Sequence, residues 1–109
     1  MKFSNAMLHL AAAAAVTIVV SAASGNAQAA DAANGGTLAK RWCAACHVVA
    51  ADQRAGNPAV PPFAEIARKP NFDAGAVALF LLAPHPLMPS MALSRAEAAD
   101  LAAYIATQK

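Results

Sequence analysis

Cys43-Ala44-Ala45-Cys46-His47 is the stretch that decides the fold. Two thiols three positions apart, with a His directly after the second, form C-x-x-C-H, the spacing that attaches a c-type haem. The thiols add across the two vinyl groups of one porphyrin. The adjacent imidazole then lies beneath the ring, where one nitrogen can take an axial site of the iron. A bare C-x-x-C also serves redox thiols and zinc. A thioredoxin-like thiol pair needs a βαβ context, and no alternating apolar run here is long enough for a strand. A zinc site needs four ligands. Behind the leader only Cys43, Cys46, His47 and His85 remain, so a Cys2His2 site would consume them all. One covalent haem c is therefore the expected cofactor.

The N-terminal side sets the compartment. Met1-Lys2 is a short basic start, and Leu8 to Val20 is apolar with one interruption, His9. That run is short of the roughly 20 apolar residues of a spanning helix. Ala27-Gln28-Ala29 places small residues where a signal peptidase reads them. The expectation is a signal peptide over residues 1–29, cleaved after Ala29, and an exported, periplasmic domain over residues 30–109. A short N-terminal membrane anchor is the competing reading. Without Lys2 the basic count falls from 8 to 7 against 6 acidic residues, a net charge of +1. So slight an excess excludes the clustered basic surface of a nucleic-acid binder.

The exported part has 80 residues, from Ala30 to Lys109. A protein core of that size supplies only about 3–5 kcal/mol, and domains this small carry a staple. The two cysteines sit together, so no long-range disulfide can serve. A covalently held apolar plate can.

Along the chain, Asp31 to Ala45 reads as a first helix capped by Asp31 or Asn34. Leu38, Trp42 and Ala45 would form one buried stripe, and Trp42 reads as a core aromatic beside the first thioether. Gly35-Gly36 weakens that helix by about 1 kcal/mol per glycine relative to Ala. Close approach of another helix would explain why they are there. Val48 to Pro62 reads as a loop, punctuated by Gly56, Asn57, Pro58, Pro61 and Pro62. With a haem bound, that loop could fold back and orient the second nitrogen of His47 with a backbone carbonyl. Phe63 to Arg68 reads as a short helix. Asp73 reads as the N-cap of a helix over Ala74 to Leu82, with an apolar face of Val77, Phe80, Leu81 and Leu82, closed by Pro84.

Ala83 to Met91 is a stiff, apolar strap with three prolines, and three of its side chains are candidates for the second face of an iron: His85, Met88 and Met91. Ser94-Arg95-Ala96-Glu97 is a capping box opening the last helix. Ala98, Leu101, Ala102 and Ile105 form its apolar stripe, with Tyr104 beside it. The domain reads as all-α, with three main helices and a short one.

These pieces together resemble the small bacterial class I cytochromes c, over essentially all of Ala30 to Lys109. Gly35 lies eight residues before the first cysteine, the attachment sequence follows, and Val60-Pro61-Pro62-Phe63 is similar to the family's Gly-Pro-x-Leu stretch, with Val60 in place of the usual Gly. A Met-Pro and a terminal helix with Leu101-Ala102-Ala103-Tyr104 complete the match. The resemblance implies the cytochrome c fold wrapped around one haem, with Cys43 and Cys46 as thioethers and His47 as proximal iron ligand. It implies that the Pro61 carbonyl receives His47 and that Trp42 packs on the haem. It also favours Met88 as distal ligand, because Met88 precedes Pro89 and stands sixteen residues before Tyr104. Met91 would then be a packing residue.

Two functions are compatible with this reading. The first is a periplasmic carrier of single electrons between a redox donor and acceptor, not itself an enzyme. The second is a haem subunit of a periplasmic dehydrogenase or oxidising complex, or a ligand-binding haem protein with an open distal site. No nucleic acid partner and no stable membrane insertion of the mature chain are expected.

Overall fold

A computed structural model of the protein describes residues 28–83 and 87–109. Residues 1–27, where most of the expected signal peptide falls, and Pro84, His85 and Pro86 lie outside the described residues. The described residues form four helices and no strand: α1 Ala32–Trp42, α2 Phe63–Ala67, α3 Ala74–Leu82 and α4 Arg95–Ala106. The all-α expectation holds.

Asp31 caps α1 by accepting hydrogen bonds from the backbone N–H groups of Ala33 and Asn34, at 2.9 and 3.1 Å. The helix stops at Trp42, three residues before the expected Ala45. Beyond Trp42 the backbone tightens. The N–H groups of Cys43 and Ala44 both reach the Ala39 carbonyl, and those of Cys46 and His47 both reach the Cys43 carbonyl. The attachment sequence is thus a compact turn at the end of α1. Its buried side consists of Gly35, Gly36, Leu38, Ala39 and Cys43, not the expected stripe of Leu38, Trp42 and Ala45. Trp42 is 41% exposed, and the Arg41 guanidinium lies 4.9 Å over its ring.

α4 is built as its sequence reads. Ser94 Oγ accepts the Glu97 N–H at 3.1 Å, and Glu97 Oε2 accepts the Ser94 N–H at 2.8 Å, closing the capping box. Ala98, Leu101, Ala102 and Ile105 are buried. α1 and α4 cross at the glycines. A Cβ on Gly35 would run into the Asp100 carbonyl and come within 2.8 Å of Tyr104 Cβ, and one on Gly36 would meet the Tyr104 ring at 3.0 Å. Only hydrogen fits between these backbones. The Asp100 carboxylate completes the crossing: it accepts the Asp31 N–H at 2.6 Å and the Asn34 side-chain amide at 2.8 Å.

Leu38, Ala39, Cys43, Val49, Phe63, Ala67, Leu101 and Ile105 make one core. Val49 is a loop residue, yet it is 1% exposed. The Tyr104 hydroxyl donates to its carbonyl at 2.7 Å, pinning the loop to α4. α3, capped by Asp73 Oδ1 accepting the Ala76 N–H, packs on α4 and sets the half-buried Val77 and Leu81 against the core. None of its nine residues is fully buried.

Candidate functional site

The turn after α1 and the loop 48–62 together shape the site. Three hydrogen bonds bring the loop back under the attachment sequence. The Asn57 N–H donates to the Cys46 carbonyl at 2.7 Å, and the Phe63 N–H donates to the Val48 carbonyl at 2.9 Å. The third joins His47 Nδ1 to the Pro61 carbonyl at 2.6 Å. A carbonyl can only accept, so Nδ1 carries a proton, and in the neutral imidazole the lone pair is the one on Nε2. Phe63 lies beside the imidazole, ring centres 5.4 Å apart, and Tyr104 meets Phe63 edge-on at 6.3 Å. The His47 ring is thereby held by a hydrogen bond and by packing.

The two thiols differ. Cys43 is buried and Cys46 is exposed. Burial pushes the Cys43 thiol up to about 11. Reactive redox cysteines are exposed and have lowered values, so this environment argues against a thiol-exchange pair. Among the described residues no three His, Cys, Asp or Glu side chains gather as a metal-binding group.

The other wall is apolar and outward. Leu79 is 67% exposed, Phe80 53% and Leu87 91%. Met88 and Met91 are half-buried and line a shallow pocket with Phe80, Leu81 and Leu82. The pocket that joins Phe80 and Leu82 of α3 to the two methionines is the apolar part of the site. These residues fit a haem: two thiols at the attachment spacing, an imidazole whose lone pair in the neutral form is on Nε2, thioether sulfurs on the strap and an apolar wall suited to a flat ring. The structure places Met88 and Met91 in the same pocket, whereas Trp42 sits on the outside of α1's last turn. His85 lies outside the described residues.

Two residues that hold this geometry carried no signal in the sequence. Gln53 reads as an ordinary polar residue in a loop, and Asp100 as a solvated charge on the polar side of α4. Asp100 bonds the Asp31 N–H and the Asn34 side-chain amide more than sixty residues away, and Gln53 bonds backbone groups two to nine residues away in an irregular loop, where no regular spacing marks a partner.

Residues 32–109 match the family described as Cytochrome c. A cytochrome c-552 of Bradyrhizobium diazoefficiens is 54% identical over 90 residues, covering 83% of this chain and 86% of that protein. No solved structure matches. Family and relative imply a covalently bound haem c, for which the chain has a single C-x-x-C-H. This chain therefore belongs to the cytochrome c family, the c-type haem proteins of electron transfer.

Proposed function

We propose that the protein is a periplasmic carrier of single electrons. Cys43 and Cys46 hold the haem through thioethers, His47 and Met88 are its axial ligands, and Pro61 orients His47. Residues 1–29 are the signal peptide that directs export and residues 30–109 the carrier domain. The observation that carries this reading is the 2.6 Å contact between His47 Nδ1 and the Pro61 carbonyl. It fixes the tautomer, holds the ring at one angle and raises its basicity toward a metal at Nε2.

Bound haem supplies an iron that alternates between ferrous and ferric states. The chain's residues then decide how it is used. His47 and Met88 would hold the iron, and a haem so held would leave no coordination position for substrate, while the thioether would favour the ferrous state. The apolar side chains of α3 exclude water and disfavour the extra positive charge of the ferric state. The hydrogen-bonded loop 48–62 keeps His47 in place. Among the described residues no helix is long and apolar enough to cross a membrane, consistent with a carrier that docks transiently on a donor and an acceptor. Met91 is the packing residue beside Met88, and Trp42 covers the ring edge next to the first thioether.

The test is an absorption spectrum of the purified holoprotein in both redox states, repeated for Met88→Ala and Met91→Ala. A low-spin c-type spectrum with the weak Met–iron charge-transfer band in the oxidised form is expected. Met88→Ala should lose that band, lower the reduction potential and open the iron to external ligands, and Met91→Ala should do none of these. A high-spin native spectrum would replace the carrier by a ligand-binding protein. Loss of the band in Met91→Ala alone would move the ligand to Met91. Constant co-purification with a dehydrogenase or oxidase would make the protein a subunit of that complex.

A further inference from the structure

We propose that Gln53 is the positioning residue of the His47 side: its side-chain amide braces the attachment loop internally and so sets the angle at which the imidazole is presented. The inference rests on the reading of His47 as an iron ligand and concerns what holds it there.

Between Ala44 and Ala55 the chain leaves the helix and reverses without a strand partner. Backbone groups in such a segment need other partners. One side chain supplies them. Gln53 Oε1 accepts the Val49 N–H at 3.0 Å. Gln53 Nε2 donates to the carbonyls of Ala44 at 3.1 Å, His47 at 2.8 Å and Ala55 at 2.8 Å. Two N–H bonds serve three carbonyls, so one is shared. A turn from the Gln53 N–H to the Ala50 carbonyl, 3.1 Å, folds the side chain back into the loop.

The chemistry is specific to a primary amide. A carboxylate would offer oxygen to three carbonyls, a Lys would lack the acceptor for Val49, and an apolar side chain would leave all four backbone groups to be resolvated. Asn has the same head on a shorter stem. Gln53 is partly buried, so its bonds to Val49, Ala44 and His47 are partly sheltered from competing water, while the one to Ala55 is exposed.

The consequence for His47 is geometric. Its backbone is fixed at the carbonyl by Gln53, and its ring is fixed at Nδ1 by Pro61. Two anchors on opposite ends of one residue determine a ring orientation that either alone would leave loose. The same amide grips Ala44, inside the attachment sequence, and so ties the thioether turn to the histidine that follows it.

The test compares Gln53→Met with Asp100→Ala in the purified, haem-loaded protein. Asp100→Ala removes the two bonds that clamp α1 to α4 and makes no contact with the loop. Thermal midpoint, reduction potential and the paramagnetically shifted proton resonances of the His47 ring are read for both. Both variants should melt earlier than the unaltered protein. Only Gln53→Met should move the His47 resonances and lower the potential, as a loosened loop admits water beneath the ring and favours the ferric state. Gln53→Asn, which keeps the amide, should shift the resonances in the same direction by less, and it serves if Gln53→Met does not fold. A lowered melting point with unchanged resonances and potential in the Gln53 variants would make the residue a plain structural brace and overturn the proposal. Absence of any axial imidazole signal in the unaltered holoprotein would instead overturn the assignment of His47, and this inference with it.

Discussion

The α1–α4 crossing and the α3–strap wall use apolar residues in opposite ways. At the crossing, small residues disappear. Gly35, Gly36, Ala39, Ala98 and Ala102 are buried, and backbones approach until a single methyl would not fit. On the wall, large residues stay out. Leu79, Phe80 and Leu82 are exposed although α3 is apolar almost throughout. One half closes on itself by protein–protein packing. The other presents a surface of the kind a flat apolar cofactor covers. The 78 residues from 32 to 109 that match the cytochrome c family can be organised this way because a haem, not more chain, can supply the other half of the core.

The largest effect should come from taking the cofactor away. Replacing Cys43 and Cys46 together by Ala removes both attachment points, and the expected outcome is a chain without covalent haem and without a cooperative thermal transition. Denaturing-gel haem staining and circular dichroism measure the two. A haem-free double variant that still melted cooperatively would break the comparison, since the protein half would then be self-sufficient.

Gly35→Ala against Gly75→Ala sharpens it. The added methyl at Gly35 meets the Asp100 backbone and Tyr104, neither of which can yield without separating the helices. Overpacking of this kind costs about 1–3 kcal/mol. For a domain this size each kcal/mol lowers the melting temperature by roughly 4–8 °C. At Gly75 in α3 the methyl would meet only the Asp73 side chain, at 3.2 Å. There the gain in helix propensity, up to about 1 kcal/mol, offsets the contact and the melting temperature should hold or rise slightly. Equal losses at both sites would show that α3 is as tightly packed as the crossing.

The smallest effect is a pH dependence confined to the crossing. Burial, and to a lesser degree the Asp52 carboxylate, raise the Tyr104 phenol above its usual value of 10.0. The folded state holds that proton more tightly than the unfolded chain does, and only the protonated phenol donates to the Val49 carbonyl. The contribution is therefore complete below pH 10 and is lost as pH climbs through the raised value. Tyr104→Phe should cost about 1 kcal/mol at neutral pH. It should also flatten the alkaline fall in stability measured by denaturant titration. A fall of unchanged steepness in Tyr104→Phe would assign the effect to another group.

Much of this was legible in the chain. The capping box at Ser94, the N-caps at Asp31 and Asp73, the short helix at Phe63 and the buried stripe of α4 are local. Each depends on residues within a turn or two, whose periodicity and hydrogen-bonding groups are written in order. The attachment sequence is local for the same reason: two thioethers and an adjacent imidazole must reach one porphyrin. Trp42 read as core, yet it lies outside. Helical spacing puts Trp42 on the same face as Gly35, but does not say how far along that face the partner helix covers it: α4 crosses at Gly35 and Gly36, and Trp42 is left 41% exposed. Asp100 stayed silent because its partners at Asp31 and Asn34 reach it only when α1 and α4 cross, and Gln53 because its nearby partners sit in a loop without a regular repeat. The Pro61 carbonyl was named by the family resemblance, and the 2.6 Å contact with His47 exists only once the loop closes. Sequence by itself determined the helices, their caps and the chemistry of the attachment turn, since those interactions are short-range. Tertiary structure alone decided how His47 is aimed and which apolar face stays outside, because both depend on contacts between segments that only folding brings together.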